Sequence, residues 1–247
     1  MSNVKNTVIV ITGASSGIGA ASAIKLASLG GKVVLAARNE EKLKALVAEI
    51  RNAGGEASYY VTNVTDKTSL VGLVEFAIKQ YGRIDSLVNN AGLMLFSDWK
   101  DVVVDDWEKM IDTNIKGYLY AIAAALPQML EQGHGKILNM SSVAGLHVGG
   151  SSCVYSATKF FIRGITESLR KEVGVDSGVQ VSMISPGVID TGWADKVSDA
   201  KGREAAKALN EIAITPEQVA DAVAYALDQP TNLTINDIVI HPTKQDW

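Results

Sequence analysis

The sequence contains little of several residue types that a secreted or an all-β protein would need. Cys153 is its single cysteine, so no disulfide can form within the chain, which is typical of a reducing compartment. Aromatic residues make up only 6% of the 247 residues, and there are only five prolines. The low aromatic and proline content therefore argues against a large all-β protein. From the single cysteine we expect the protein to be cytoplasmic.

Neither the charge balance nor the hydrophobic runs point to a nucleic acid or a membrane. The chain has 23 basic and 27 acidic residues and a net charge of −4, without the basic excess of a dedicated nucleic-acid binder or of a polybasic membrane anchor. The first apolar run, residues 8–11, is far shorter than the roughly 20 residues that a membrane-spanning helix needs. We expect no nucleic-acid partner and no membrane partner.

Short β-branched runs alternate with amphipathic stretches along the whole chain. Strands are predicted at residues 7–11, 32–37, 57–61, 84–88, 135–140, 179–184 and 235–240. The main helices between them are predicted at 17–29, 40–52, 105–131, 152–173 and 216–227, with a further one that ends at 81. This alternation predicts a doubly wound α/β fold, in which a seven-stranded parallel sheet is flanked by helices on both faces. We expect a single domain over residues 1–247, with a mobile excursion at 190–214 that carries one or two short helices.

A glycine-rich turn, TGASSGIG at residues 12–19, joins the first predicted strand to the first helix. Glycines allow the backbone to turn tightly and to approach a pyrophosphate, and the N-terminus of a helix offers unpaired N–H groups to phosphate. A turn of this kind that binds no ligand is the alternative. We predict that a dinucleotide is bound here by Gly13, Ser15, Ser16, Gly17, Ile18 and Gly19.

Tyr155 and Lys159 are four residues apart in a predicted helix, so their side chains share one face. A free tyrosine has a pKa near 10 and is a poor base at neutral pH, but a neighbouring ammonium group lowers that pKa. We therefore expect Lys159 to lower the pKa of Tyr155, and the pair to exchange a proton with a substrate oxygen. The same spacing also occurs on many solvated helix faces, so the pair alone is very weak evidence of a catalytic site.

The motifs taken together resemble the short-chain dehydrogenase/reductase family in its compact form. In chain order they are TGASSGIG at 12–19, NNAG at 89–92, Asn114, the serine pair 141–142, Tyr155 with Lys159, and Pro-Gly at 186–187. The resemblance covers nearly the whole chain. It implies a single Rossmann-type domain and an enzyme that transfers a hydride between a nicotinamide cofactor and a ketone or aldehyde.

The resemblance also implies a role for each matching residue. Ser142 polarises the substrate carbonyl, Tyr155 exchanges the proton, Lys159 holds the nicotinamide ribose, and Asn114 holds a water of a proton relay. The cofactor is further expected to contact Asn63, Val64, Asn90, Ala91, Gly92, Pro186, Gly187, Val188 and Thr191. Many relatives carry Asp where this chain has Asn63, whose amide oxygen can still accept from the adenine. No metal is expected.

The end of the second predicted strand bears on the choice between NAD and NADP. An acidic residue there usually binds the ribose 2′-hydroxyl of NAD, but this chain has Arg38 followed by Asn39. Guanidinium groups form strong charge-assisted hydrogen bonds to phosphate. We therefore predict NADP(H), held at its 2′-phosphate by Arg38 with help from Ser15 and Asn39. A solvated surface arginine is the alternative.

The loops after strands four, five and six carry apolar residues that are expected to surround the substrate. They are Met94, Leu95, Phe96, Trp99, Leu146, Val148, Val188 and Trp193. An apolar pocket argues against a highly anionic substrate, although a 3-oxo acid or a hydroxy acid remains an alternative. His147 faces either the substrate or the solvent. Trp247 either covers the pocket of a neighbouring subunit or is exposed.

The family resemblance further implies a homotetramer that assembles through the two long predicted helices, 105–131 and 152–173. Two rival functions stay open at this point. One is a non-catalytic NADP-binding sensor or scaffold, which the complete set of Asn114, Ser142, Tyr155 and Lys159 argues against. The other is an epimerase or dehydratase, whose substrate region is usually longer than residues 190–214.

Overall fold

The structure, a computed structural model, describes residues 2–197 and 199–246 of the chain. Seven parallel strands form one sheet in the order β3-β2-β1-β4-β5-β6-β7. The strands are β1 (Val8–Thr12), β2 (Lys32–Ala37), β3 (Glu56–Val61), β4 (Ser86–Asn89), β5 (Gly135–Met140), β6 (Val179–Pro186) and β7 (Asp237–Ile240). The prediction for Trp247 lies outside the described residues.

Helices cover both faces of this sheet, as predicted. They are α1 (Gly17–Ser28), α2 (Glu40–Asn52), α3 (Lys67–Tyr81), α4 (Val104–Ile111), α5 (Gly117–Gln132), α6 (Cys153–Glu172), α7 (Ala200–Asn210) and α8 (Pro216–Leu227). Buried aliphatic side chains of α1, α2 and α8 pack on one face, and those of α3 and α5 pack on the other. Every residue of β1 is buried, as expected for a strand covered on both sides. The predicted doubly wound Rossmann-type fold is confirmed.

The sequence predicts one long helix at 105–131, but the structure has two α-helices joined by a π-helical turn. The helical path begins at Val104, changes to a π-helical turn over Asp112–Lys116, and resumes as α5. It ends at Gly133, which adopts the left-handed conformation with a φ of 71°. A π turn accommodates one extra residue within a helix, and neighbouring apolar positions still follow a helical period, so the sequence pattern does not reveal it.

The strand order reverses its direction of growth between β1 and β4. The chain leaves β1 towards β2 and β3 on one side, and returns to β4 on the other side. Such a switch point leaves a crevice beyond the carboxyl ends of the two strands, where doubly wound folds bind ligands. Thr12 closes the base of the crevice, because its hydroxyl accepts the N–H groups of Asn90 at 3.0 Å and Ala91 at 3.1 Å.

The segment after β6 leaves the sheet and returns to it at a single point. Ile189 forms a parallel bridge with Ile214, and the main-chain N–H of Asp190 donates to the Ile214 oxygen at 3.0 Å. Between these ends lie a short 3₁₀ helix, Ala194–Lys196, and α7. The excursion predicted at 190–214 therefore contains two short helices and is drawn together at its base.

The part of the chain that the structure describes has no helix long and apolar enough to cross a membrane. In the same residues, no three His, Cys, Asp or Glu side chains are grouped closely enough to hold a metal ion. The three histidines lie apart: His134 and His241 are exposed at the surface, whereas His147 lines the cavity described below.

Candidate active site

One cavity of about 1110 Å³ opens at the carboxyl edge of the sheet, at the switch point. It brings together residues that the sequence places far apart. Its lining includes Gly13, Ser15, Ser16, Gly17, Ile18, Arg38, Asn63, Val64, Asn90, Ala91, Gly92, Ser142, Tyr155, Lys159, Pro186, Gly187, Val188 and Thr191. Two predicted site residues, Gly19 and Asn114, do not line the cavity and instead support residues that do.

The glycine-rich turn forms one end of the cavity and leaves no room for side chains. Gly13 and Gly17 have φ angles of +67° and +56°, which favour glycine. A Cβ atom on Gly19 would lie 2.4 Å from the main-chain oxygen of Gly13 and 2.6 Å from the Nδ2 atom of Asn90. Gly19 is therefore required for packing of the turn rather than for contact with a ligand.

The N-terminus of α1 points into this end of the cavity without a side-chain cap. Ser16 precedes the helix in an extended conformation and makes no side-chain capping hydrogen bond, and the first turn contains no acidic residue. The positive end of the helix dipole and the N–H groups of the first turn remain available for an anion. This arrangement fits the pyrophosphate of a dinucleotide.

Arg38 follows β2 at the edge of the same cavity. Its side chain is exposed, and within the residues that the structure describes it makes no ion pair or hydrogen bond. Asn39 differs, because its Oδ1 atom accepts the Lys42 N–H at 3.0 Å and caps α2. Of the two, it is the guanidinium of Arg38 that is free to meet a phosphate.

Asn63 lines the cavity after β3, but its amide oxygen is already engaged. The Oδ1 atom accepts both the main-chain N–H of Thr65, at 3.2 Å, and the Thr65 hydroxyl, at 3.0 Å. An amide oxygen has two lone pairs, so both have donors in this structure. The geometry does not support the predicted use of this oxygen as the adenine acceptor, and leaves Asn63 the role of shaping the wall.

Ser142, Tyr155 and Lys159 meet at the other end of the cavity. Ser142 lies two residues after the end of β5, and the other two lie in the first two turns of α6. The Ser142 hydroxyl donates to the main-chain oxygen of Pro186 at 3.3 Å and accepts the Ala144 N–H at 3.1 Å, and it is close enough to Tyr155 to act on the pKa of that residue. Lys159 is 4% exposed, its Nζ atom donates to the main-chain oxygen of Met140 at 2.8 Å, and it lies 5.7 Å from the centre of the Tyr155 ring.

The ionisation of this group differs from the sequence-based expectation. Burial raises the pKa of Tyr155 to about 12, and the nearby Ser142 hydroxyl offsets only part of that rise. Burial likewise lowers the pKa of Lys159 to about 7, because a charged ammonium group is poorly solvated there. The sequence predicts a lowered pKa for Tyr155, but burial outweighs the effect of a neighbouring ammonium group, and the pKa is raised instead.

Asn114 lies behind the cavity, within the π-helical turn, and is fully buried. Its Oδ1 atom accepts the main-chain N–H of Leu93 at 2.8 Å. Its Nδ2 atom donates to the Leu93 oxygen at 2.8 Å and to the Thr158 hydroxyl at 3.1 Å. Asn114 thus joins the loop after β4 to α6, and its Oδ1 atom keeps one lone pair for the predicted water.

Several supporting residues were not identified from the sequence. Thr12 precedes Gly13 in the glycine-rich motif, so its position within that motif was a usable signal. Tyr118, however, is buried in α5 and donates its hydroxyl to the same Met140 oxygen that Lys159 contacts, at 2.9 Å. No local pattern marks Tyr118, because its partner lies on a different element of the fold.

The predicted apolar pocket is present, although not all predicted residues line it. Met94, Leu95, Phe96, Val188 and Trp193 do, and so does His147. Three residues predicted for this pocket do not, namely Trp99, Leu146 and Val148. Trp99 turns away to pack against Trp107, with ring centres 5.2 Å apart, and Val148 is exposed.

Comparisons with known proteins agree with this geometry. Residues 7–202 match the family model of the short chain dehydrogenases. An uncharacterized oxidoreductase of Listeria innocua is 43% identical over 246 residues, 99% of each chain. The closed form of a serine dehydrogenase complexed with NADP⁺ is 32% identical with a TM-score of 0.90, covering 98% of this chain and 97% of that one.

A further solved structure, a short chain dehydrogenase/reductase of Burkholderia phymatum in complex with NAD, is 29% identical with a TM-score of 0.88. It covers 97% of this chain and 90% of that one. Similar proteins thus bind either NADP or NAD. On the family match and the near-complete coverage by its relatives, this chain belongs to the short-chain dehydrogenase/reductase family of oxidoreductases.

Proposed function

We propose that the protein is an NADP(H)-dependent carbonyl reductase, which reduces a ketone or aldehyde to an alcohol and can catalyse the reverse reaction. One observation carries the proposal. A single cavity joins the glycine-rich turn and Arg38 at one end to Ser142, Tyr155 and Lys159 at the other. A dinucleotide that extended between these ends would bring its redox-active ring to the end that carries the hydroxyl groups.

Arg38 supports NADP(H) rather than NAD(H). Its guanidinium lines the cavity where β2 ends, the position at which related folds distinguish the ribose 2′-hydroxyl from a 2′-phosphate. A planar guanidinium binds phosphate through paired hydrogen bonds. One similar solved structure contains NADP⁺ and another contains NAD. The preference of this protein is therefore tested by kinetics with both cofactors.

A nicotinamide cofactor held by the glycine-rich turn and Arg38 would supply the hydride that reduces the carbonyl carbon. The hydroxyl groups of Ser142 and Tyr155 line the same cavity and would hold one carbonyl oxygen between them. Tyr155 is the general acid, because a pKa near 12 keeps it protonated at neutral pH, as reduction requires. The ammonium form of Lys159, 5.7 Å from the ring centre, stabilises the phenolate that remains.

A second candidate substrate is a hydroxy acid or its oxo form, which the likeness to a serine dehydrogenase favours. The two candidates use the same chemistry at Tyr155 and differ in whether the substrate carries a carboxylate. A non-catalytic NADP-binding sensor is disfavoured, because Ser142, Tyr155 and Lys159 line the same cavity.

The test is to follow oxidation of NADPH with a panel of ketones, aldehydes and oxo acids. General acid catalysis is worth about 10²–10⁴-fold, so Tyr155→Phe is expected to lose activity within that range while still binding NADPH. Tyr81→Phe, which changes a tyrosine outside the cavity, is the matched control. Full activity in Tyr155→Phe, or no turnover of any carbonyl compound by the wild type, contradicts the proposal.

A further inference from the structure

An aromatic wall closes the substrate end of the cavity. Phe96, in the loop after β4, and Trp193, in the excursion after β6, both line it. Their ring centres are 5.4 Å apart and their planes are at 85°. This edge-to-face arrangement is one of the preferred geometries of aromatic pairs, and it connects two segments that are about a hundred residues apart in sequence.

The wall is supported from behind, so its position is defined by packing. Phe96 and Trp193 pack against a small cluster of buried side chains, Ala194, Val197 and Ala206. Gly202 of α7 approaches the same loop so closely that a Cβ atom there would lie 3.1 Å from the main-chain oxygen of Phe96. A contact surface of this kind is preorganised, because little side-chain freedom remains to be lost on binding.

Further apolar side chains line the same cavity. Met94, Leu95 and Val188 contribute from the loops, and Ala205 and Leu209 from α7. Such a surface gains free energy from an apolar group removed from water, and it offers a carboxylate few partners.

The charges at the cavity also argue against an anionic substrate. Among the lining side chains that the structure describes, Asp98 and Asp199 carry carboxylates; Asp98 pairs with Lys100 at 3.4 Å, and Asp199 accepts the Gly202 N–H at the start of α7. The lysine and arginine in that lining are Lys159 and Arg38, which the proposed function assigns to the cofactor.

We propose that Phe96 and Trp193 are specificity-determining residues that select a carbonyl substrate with an aromatic or bulky apolar substituent and no carboxylate. The inference rests on the proposed function, because it names the substrate class of that same site. The substituent packs against the two rings while the carbonyl oxygen lies between Ser142 and Tyr155.

The experiment compares kcat/KM for two ketones, a phenyl ketone and a small dialkyl ketone, with NADPH in excess. Trp193→Ala and Phe96→Ala are expected to lose about tenfold or more for the phenyl ketone, mainly through KM, since apolar pocket contacts contribute on that scale. The kcat/KM of each variant for the small ketone is expected to fall much less, because that ketone contacts the two rings less, and its continued turnover shows that the variant is folded. Trp193→Phe, which keeps an aromatic ring, is expected to retain most of the activity on the phenyl ketone.

Trp99→Ala is the matched control, because Trp99 is a tryptophan near the same loop that is exposed and lies outside the cavity lining. This variant is expected to have the same kcat/KM as the wild type for both ketones. Equal losses on both ketones in Trp193→Ala, or none, overturn the inference and leave the proposed function standing. A higher kcat/KM of the wild type for an oxo acid than for the phenyl ketone also overturns it. Failure of the wild type on every carbonyl compound overturns the proposed function itself.

Discussion

The Nζ atom of Lys159 donates a hydrogen bond to the main-chain oxygen of Met140, the last residue of β5, at 2.8 Å. The same oxygen accepts the hydroxyl of Tyr118 at 2.9 Å. This shared acceptor holds Lys159 beside Tyr155, and no carboxylate among the described residues pairs with it. Burial lowers the pKa of Lys159 to about 7 from an ordinary value of 10.5.

The first prediction concerns the pH dependence of stability. Between pH 7 and 10.5 the unfolded state keeps the proton on Lys159 and the folded state loses it, so stability rises with pH across this window. Below pH 7 the folded state carries the full cost of a buried ammonium group. Lys159→Met is therefore expected to be more stable than the wild type at pH 6, on the order of a few kcal/mol, since each pKa unit corresponds to about 1.4 kcal/mol.

Urea unfolding of both proteins at pH 6, 7.5 and 9 measures this difference. The gap is expected to shrink as the pH rises, because the wild type loses its penalty. Curves that run parallel over the whole range mean that Lys159 keeps an ordinary pKa.

The second prediction concerns the choice of cofactor. Arg38→Asp removes the cation at the end of β2 and places a carboxylate where a ribose 2′-hydroxyl can be bound. Because hydrogen bonds to charged groups contribute strongly, kcat/KM with NADPH is expected to fall about tenfold to a hundredfold, while that with NADH is maintained or rises. Steady-state kinetics with both cofactors check this.

The control for this change is Lys42→Asp, the same change of charge on the exposed face of α2 and outside the cavity lining. It is expected to leave the preference as it is. If Arg38→Asp also keeps the preference of the wild type, the 2′-phosphate is bound by other residues.

The third prediction concerns the connection between β1 and β4. Thr12 is 2% exposed and accepts the N–H groups of Asn90 and Ala91. Thr12→Val leaves both donors without this partner, and an unsatisfied buried polar group costs about 1–3 kcal/mol. We expect a loss of stability of this size, and a loss of NADPH affinity because the crevice is no longer closed.

Chemical denaturation and NADPH titration measure the two effects. Thr7→Val makes the same substitution in front of β1, where the side chain is only half-buried and donates to the Val4 oxygen. Thr7→Val is expected to reduce stability and NADPH affinity less than Thr12→Val does. A Thr12→Val protein as stable as the wild type means that water or a shifted backbone replaces the hydroxyl.

The fourth prediction concerns the glycine-rich turn. Gly19→Ala places a Cβ atom 2.4 Å from the Gly13 oxygen, so the turn must shift and the N–H groups at its end lose their alignment. We expect NADPH to bind at least about tenfold more weakly, a change that corresponds to about 1.4 kcal/mol. Titration with NADPH monitored by nicotinamide fluorescence measures it.

Gly164→Ala serves as the comparison, because a Cβ atom there meets nothing within 4 Å. It lies within α6, where alanine is favoured over glycine by roughly 0.5–1 kcal/mol, so this variant is expected to bind NADPH normally and to be no less stable. Equal affinities of the two variants are the result that rules out a packing role for Gly19.

The order of strands and helices was predictable because it depends on residues that are neighbours in sequence. Apolar runs such as Val33 and Val34 within β2 are buried on both faces of the sheet, and a helical period marks Leu43, Leu46 and Val47 on α2. The capping of α2 by Asn39 was predictable for the same reason. The cap of α3 is equally local, since the Asp66 side chain accepts the N–H of Thr68 at 2.9 Å.

The residues of the candidate site were predictable where a motif contains them, as in the glycine-rich turn and the pairing of Tyr155 with Lys159. Their environment was not. Whether Lys159 is charged depends on how many atoms surround it, and whether Asn114 points inward depends on a π turn that binds the loop after β4. Both are set by parts of the chain that come together only in the folded state.

The sequence by itself thus determined the elements, their parallel order and the side chains available for chemistry, since spacing along the backbone decides which residues share a strand or a helix face. Only the tertiary structure decided the ionisation of Tyr155 and Lys159, the removal of Trp99 from the pocket, and the pairing of Phe96 with Trp193. The physical reason is that desolvation and side-chain packing depend on distance in space, which the sheet imposes on residues that are remote along the chain.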